Sequence, residues 1–188
     1  MKFVYAKNEI IISKNIVIKK YEIGLENKVD GDKSLIQFVN HENPIWLSSD
    51  LFEVFDPCKT GDQYEKKVCN RCNRLLPREY FQKNQNGKDN RTVRRPSCND
   101  CRSLIDGTKV LGKYKKEWEN KKPHLEIWEC PICKKKTIPG LTSKVVLDHD
   151  HKTGIPRAWI CDSCNTGLGR FEDDIEVIKQ AIKYLENS

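Results

Sequence analysis

The chain has 188 residues, of which 37% are hydrophobic and 32% charged, with a formal net charge of +7. That length fits one or two domains of about 100–200 residues each, and nowhere does the chain hold the ~18 consecutive apolar residues of a membrane helix. Charge enters at Lys2 and Lys7, too early for a secretory signal, so a cytoplasmic protein without a membrane partner is expected. A mean hydropathy of −0.71 leaves little apolar material for a core, so something besides apolar burial must hold parts of the chain together.

The first 64 residues are read as an antiparallel β domain. Apolar runs with strand character cover Lys2–Ala6, Glu9–Ser13, Ile16–Ile23, Ser34–Val39, Pro44–Ser48 and Leu51–Phe55. Ser13-Lys14-Asn15 and Asp30-Gly31-Asp32 read as turns between such runs. Short strands without a helix predict a small antiparallel barrel or sheet, and no catalytic constellation lies within it.

Eight of the nine cysteines form four Cys-x-x-Cys pairs, Cys69/Cys72, Cys98/Cys101, Cys130/Cys133 and Cys161/Cys164. A reducing compartment disfavours disulfides, and paired knuckles of this spacing read as zinc ligands. Two residues between thiolates let both face one tetrahedral Zn²⁺ at about 2.3 Å, and two pairs close a structural site. Redox-active Cys-x-x-Cys is the competing reading. Four copies in so short a chain, none within a parallel βαβ pattern, argue against it. Cys58 is left over and reads as a partly buried small residue.

The knuckles also expose a repeat. Cys72 and Cys98 are separated by 25 residues, Cys133 and Cys161 by 27. Each unit reads as knuckle, β-hairpins, knuckle, helix, which predicts duplication of one zinc-centred module. The expected architecture is therefore α+β: a β domain over 1–64, a non-catalytic zinc repeat over 65–125 and a second zinc repeat over 126–188. The spacer Arg102–Asn120 has helical character apart from Gly107 and Gly112. A short helix is expected from Asn165, and Asp173-Asp174 should cap Ile175–Glu186, with Ile175, Ile178, Ile182 and Leu185 on one face.

Charge is distributed unevenly. Residues 1–64 balance at −2, residues 65–136 at +11, residues 137–169 at zero and residues 170–188 at −2. A solvated face suffices to explain a single run such as Lys134-Lys135-Lys136. A basic segment threaded with knuckles and with Arg91, Arg94 and Arg95 points instead to a phosphate backbone.

What differs between the repeats carries the chemistry. Twelve residues before Cys161 stands His149, in Val145-Val146-Leu147-Asp148-His149-Asp150-His151; twelve before Cys98 stands Asn86, with no histidine nearby. Asn165 follows Cys164 where Arg102 follows Cys101. Val145–Leu147 predicts a strand ending at Asp148 and His149, and Gly154 and Pro156 mark the turn of a hairpin whose second strand, Ala158-Trp159-Ile160, leads to Cys161. Neutral imidazole can take a proton from water near pH 7, and Asp and Asn oxygens suit a hard cation such as Mg²⁺. Both are needed to hydrolyse a phosphodiester. His41 and His124, lacking such neighbours, read as structural or solvated, and Trp159 reads as core. For His151, phosphate contact, hairpin stabilisation and exposure stay open. Asp150 could ligate a metal, but strand alternation points it away from His149.

Leu147-Asp148-His149-Asp150-His151-Lys152-Thr153-Gly154-Ile155-Pro156-Arg157, with Ile160-Cys161-Asp162-Ser163-Cys164-Asn165-Thr166-Gly167-Leu168-Gly169, resembles the endonuclease VII branch of the HNH (ββα-metal) nucleases from Cys130 to about Leu185. The segment from Val68-Cys69-Asn70-Arg71-Cys72 to Cys98-Asn99-Asp100-Cys101-Arg102 resembles, less closely, the cysteine module found upstream of such domains. The resemblance implies His149 as general base, Asp148 and Asn165 as holders of one catalytic cation, expected to be Mg²⁺, and two structural Zn²⁺ per chain on the two sets of four cysteines. It also implies cleavage leaving 5′-phosphate and 3′-hydroxyl ends. Asn stands where many HNH enzymes have His.

Three functions fit. The first is a sequence-specific restriction-type endonuclease on double-stranded DNA, expected to be a homodimer because cutting both strands of a palindrome calls for two sites about a two-fold axis. Lys152, Arg157, His151, Arg91, Arg94 and Arg95 would contact the nucleic acid. The second is a nuclease resolving Holliday junctions or other branched DNA, which reads shape and phosphate rather than base edges. The third is a zinc-knuckle DNA-binding protein without activity, in which nothing would demand Asp148, His149 and Asn165 together.

Overall fold

The computed structural model describes residues 2–87 and 91–187. The chain falls into two compact units, Met1–Arg102 and Ser103–Ser188.

The first unit opens with seven strands: β1 (Lys2–Ala6), β2 (Ile10–Ser13), β3 (Ile16–Ile18), β4 (Ile23–Asp30), β5 (Lys33–Phe38), β6 (Ile45–Ser48) and β7 (Phe52–Phe55). Five of them form an antiparallel sheet in the order β6-β5-β4-β1-β7, and β2 and β3 form a separate hairpin. Among the described residues the edge strands β6 and β7 do not pair, so the domain is a curled open sheet rather than a closed barrel. Alternation is plain in β5, where Ser34, Ile36 and Phe38 are buried and their neighbours are not. Val4, Ala6, Ile18, Ile36, Phe38, Leu47 and Phe52 form the core. Each large member contributes about 1.5–3 kcal/mol of transfer free energy.

The run expected as one strand over Ile16–Ile23 is interrupted. Tyr21 adopts φ 68°, and its backbone N–H donates to Ala6 O while its carbonyl accepts from Leu75 N. The chain then re-enters the sheet as β4, which has no counterpart among the expected strands. The same junction joins the sheet to the first knuckle: Ile23 N donates to Asn73 O and the Asn40 amide donates to Cys72 O. The Asp30-Gly31-Asp32 turn is present, with Gly31 at φ 58°.

The repeat is explicit in the elements. Strands β8 (Lys66–Val68) and β9 (Leu75–Pro77) flank the first knuckle, β10 (Lys83–Asn86) pairs with β11 (Thr92–Arg94), and α1 (Asn99–Asp106) and α2 (Gly112–Glu119) follow. In the second copy β12 (Trp128–Glu129) and β13 (Lys136–Thr137) flank Cys130 and Cys133, β14 (Val145–His149) pairs with β15 (Pro156–Cys161), and α3 (Asp162–Arg170) and α4 (Ile175–Glu186) follow. In the first repeat the cysteines are themselves core: Cys69, Cys98 and Cys101 are buried with Leu76 and Phe81.

Among the described residues of the second unit the buried apolar side chains are few: Val145, Ile160, Cys130 and the prolines Pro123, Pro139 and Pro156. Helix α4 is amphipathic as expected, with Asp174 capping it through Glu176 N and Val177 N, yet none of its residues is buried. Cys58 also departs from expectation: it is exposed, in a short turn where its N–H is held by Asp56. No helix among the described residues is long and apolar enough to cross a membrane.

Candidate active site and metal centres

Each set of four cysteines converges. The sulfurs of Cys69, Cys72, Cys98 and Cys101 lie within 4.8 Å of one another, as do those of Cys130, Cys133, Cys161 and Cys164. Four bonds of about 2.3 Å at tetrahedral angles place sulfurs roughly 3.8 Å apart. Cys72 Sγ and Cys98 Sγ are 3.9 Å apart and Cys133 Sγ and Cys161 Sγ 3.8 Å, a fit to one metal and far longer than a disulfide. Backbone N–H groups support the sulfurs, with Cys98 N 3.3 Å from Cys69 Sγ and Cys164 N 3.4 Å from Cys161 Sγ.

Burial pushes the Cys69 thiol up, but N–H donors from Cys72, Cys98 and Arg71 outweigh it and bring it down to about 7. Cys130 is brought down to about 6 against its burial by donors from Cys161, Cys133 and Ile132. Burial and then neighbouring thiols push Cys101 up to about 11 and Cys164 up to about 12. Four thiols this close cannot all ionise unaided, and a central cation removes that penalty. Both clusters therefore suit a soft divalent metal such as zinc.

The second candidate centre lies on the β14–β15 hairpin. Leu147 pairs with Trp159 and Asp148 with Ala158, and the register then shifts so that His149 faces Pro156. Such a bulge re-aims the side chains on either side of it. Asp148 is buried, at 7% exposure. The Arg157 fork covers it, with Nε 2.7 Å from Oδ2 and Nη2 3.1 Å from Oδ1. Arg157 Nη2 also donates to His149 O. Burial works against the guanidinium's charge, but Asp148, with Asp173 and Asp150 behind it, holds its pKa above the ordinary value.

His149 Nε2 lies 3.1 Å from the carbonyl oxygen of Thr108. A carbonyl only accepts, so Nε2 carries the hydrogen and Nδ1 is the basic nitrogen. That carbonyl is fixed by the segment after α1, which docks on the hairpin loop: Thr108 N donates to His151 O and Leu111 N to Gly154 O. Glycine is required at both close approaches. A Cβ on Gly107, at φ +54°, would stand 2.4 Å from His151 O, and one on Gly154, at φ +70°, 2.6 Å from Lys109 O.

Asp150 folds the hairpin turn, accepting from Lys152 N, Thr153 N and Thr153 Oγ1. These bonds, the Thr153 N–H foremost, hold its carboxyl below the usual range. His151 is oriented by Asp173, with Nδ1 3.3 Å from Oδ2, and its ring centre lies 5.0 Å from that of His149. Asn165 is half-buried in the first turn of α3, a helix that contacts both strands of the hairpin. That helix starts three residues earlier than expected, because Cys161 is its N-cap and accepts from Cys164 N. Trp159 is half-buried and donates to Trp118 O.

The candidate contacts Arg91, Arg94 and Arg95 lie in the first unit. Arg94 donates to Phe81 O at 2.8 Å, so its guanidinium braces the fold. It lines a cleft of about 390 Å³ with Asp62, Arg78, Lys83 and Arg91. Arg95 is half-buried, its N–H on Gln82 O. Two participants escaped the sequence. The Thr108 carbonyl is a backbone atom and carries no side-chain signature. Asp173 reads as half of a capping pair, and only its left-handed backbone, φ 54°, turns it toward Arg157.

Residues 113–187 match the Recombination endonuclease VII family, and residues 56–107 match the His-Me finger endonuclease beta4-alpha2 domain. The fold superimposes on the crystal structure of the beta-beta-alpha-Me type II restriction endonuclease Hpy99I with a TM-score of 0.89 and 38% identity, covering 99% of this chain and 97% of that one. The Gene 59 protein of Mycobacterium phage L5 is 46% identical over 59 residues, 31% of this chain and 35% of its own. The Gene 59 protein of Mycobacterium phage D29 is 44% identical over 57 residues, 30% of this chain and 33% of its own. The match thus spans about a third of each phage protein.

The chain belongs to the ββα-Me (HNH-type) nucleases of the endonuclease VII branch. As a member of that family it is a DNA endonuclease.

Proposed function

We propose that the protein is a sequence-specific, metal-dependent endonuclease of the type II restriction class, acting on double-stranded DNA in the cytoplasm and leaving 5′-phosphate and 3′-hydroxyl ends. The observation that carries this reading is the likeness to a type II restriction endonuclease over 99% of the chain, the N-terminal sheet and first repeat included. The likeness to recombination endonuclease VII is confined to residues 113–187, which favours restriction over junction resolution.

In this reading His149 is the general base. Its Nδ1 takes a proton from the attacking water while Nε2–H stays bonded to Thr108 O, a bond that strengthens as the ring becomes cationic. Asp148 and Asn165 hold the divalent cation, Mg²⁺ by the hardness of their oxygens. When bound, that cation would neutralise charge on the scissile phosphate and its leaving oxygen. The two cysteine clusters hold zinc, and a reducing compartment keeps the thiols free to do so. Lys152, Arg91 and Arg95 supply phosphate contacts, with His151 and Arg157 at the site itself. Arg94 contributes through the cleft it braces.

The partner in solution is a second copy of the chain. Support comes from α4, where Ile175, Ile182 and Leu185 are 67%, 49% and 72% exposed. Sedimentation should show a dimer, and Ile182→Glu should make it a monomer; an unchanged dimer would place the interface elsewhere.

The test of function offers zinc-loaded protein with Mg²⁺ a linear duplex and a four-way junction built from the same sequences. Cutting of the duplex at one short sequence supports restriction. Cutting confined to the junction reverses the assignment.

A further inference from the structure

We propose that Asp173 is a positioning residue of the active site: it shares the Arg157 guanidinium with Asp148, so that Asp148 keeps the negative charge a divalent cation needs. The inference rests on the reading of Asp148 as a cation ligand.

The argument begins from charge. Arg157 meets both oxygens of Asp148 in a fork, at 2.7 and 3.1 Å. An isolated pair of this kind is neutral, and a cation approaching Asp148 would compete with a guanidinium already bonded to both oxygens. Asp173 alters the balance. Its Oδ2 lies 3.4 Å from Arg157 Nη2, and its side chain is 15% exposed, so the contact is partly shielded from water. Asp148, Arg157 and Asp173 together carry one net negative charge. The guanidinium also keeps a second anchor through which it stays bonded when Asp148 turns to a metal. The same Oδ2 meets His151 Nδ1 at 3.3 Å, which ties the second histidine of the hairpin to the same carboxylate.

The backbone places Asp173 for this work. It sits at φ 54°, its N–H donating to Leu168 O at the end of α3, a left-handed position that Asp and Asn tolerate better than other side chains. Its neighbour Asp174 is spent on capping α4. Two adjacent aspartates thus do different work, and only Asp173 faces the hairpin.

The experiment measures Mn²⁺ binding by electron paramagnetic resonance, on zinc-loaded full-length protein without DNA. Asp173→Asn keeps the size and tolerates the left-handed backbone, so melting temperature and zinc content should hold. The Mn²⁺ dissociation constant should rise on the order of tenfold, the effect of one unit charge in a partly screened site. Adding Arg157→Gln restores the net charge and should return affinity to the parent value, while Arg157→Gln alone should tighten binding. The proposal is overturned if Asp173→Asn leaves Mn²⁺ affinity unchanged, or if its loss persists in the double variant. Should Asp173→Asn fail to fold, weaker binding in Arg157→Gln alone overturns it equally. Asp148→Asn separates the two ideas. If Mn²⁺ still binds there, the reading of Asp148 is at fault. If binding vanishes there but survives unchanged in Asp173→Asn, only the sharing is refuted.

Discussion

Removing zinc should unfold the second unit and leave the N-terminal sheet standing. Among the described residues of Ser103–Ser188 the buried apolar side chains are Val145, Ile160 and Cys130, at 9%, 1% and 0% exposure, and three prolines, Pro123, Pro139 and Pro156. Two aliphatic side chains contribute about 1.5–3 kcal/mol each. That is little apolar burial for a unit of this length, so its fold depends on something more. A structural zinc in a small module contributes about 10–16 kcal/mol, enough to decide whether the unit folds. The sheet depends instead on Val4, Ile18, Ile36, Phe38, Leu47 and Phe52, all of which precede the first cluster cysteine, Cys69, in sequence. Treatment with a strong chelator, metal loss being verified by mass spectrometry, should abolish protease resistance from about residue 69 to 170 and spare a fragment containing the sheet. Unchanged circular dichroism and protease resistance after both metals have left would refute the reasoning.

Gly107→Ala should depress kcat strongly and also lower the melting temperature, because its Cβ sits at positive φ and would strike His151 O at 2.4 Å, which shifts the Thr108 carbonyl; a misplacement of about 1 Å costs on the order of a hundredfold. Steady-state cleavage of a short duplex measures it, and a parent-like kcat would remove Thr108 from the account. Asp174→Ala should cost about 1 kcal/mol in urea unfolding through loss of the α4 cap, without altering Mn²⁺ affinity, the reverse of the behaviour expected at Asp173. A pH dependence should arise at Asp62, whose carboxyl burial pushes up but Lys67, at 2.6 Å, and the Arg94 N–H hold below its ordinary value. A depressed pKa stabilises fully above the unfolded value and is lost as pH falls through the folded one. Asp62→Asn should therefore lose less stability than the parent on acidification below about pH 4; identical acid sensitivity would contradict it.

The repeat and its cysteines were legible because metal ligation fixes spacing, and spacing survives in sequence. The hairpin carrying Asp148 and His149 was legible for a similar reason, with Val145–Leu147 and Gly154 punctuating it. What hid was tertiary. Tyr21 is no turn former by type, yet bonds to Ala6 and Leu75 hold it at φ 68°, and the expected strand ends at Ile18. The apolar face of α4 was visible as a pattern, but a pattern does not say whether this chain covers it, and it does not. The pairing of Arg157 with Asp148 was not legible, because charge counts do not show which carboxylate a guanidinium meets. Asp173 and Thr108 act through geometry that no short motif records.

The measurement that tests the central claim most directly is digestion of several long linear duplex DNAs with Mg²⁺, comparing the intact protein with His149→Ala. The account predicts discrete fragments ending at one shared short sequence, with ends that DNA ligase rejoins, and none from the variant. Duplex left uncut by the intact protein, or cleavage that survives His149→Ala, would contradict it.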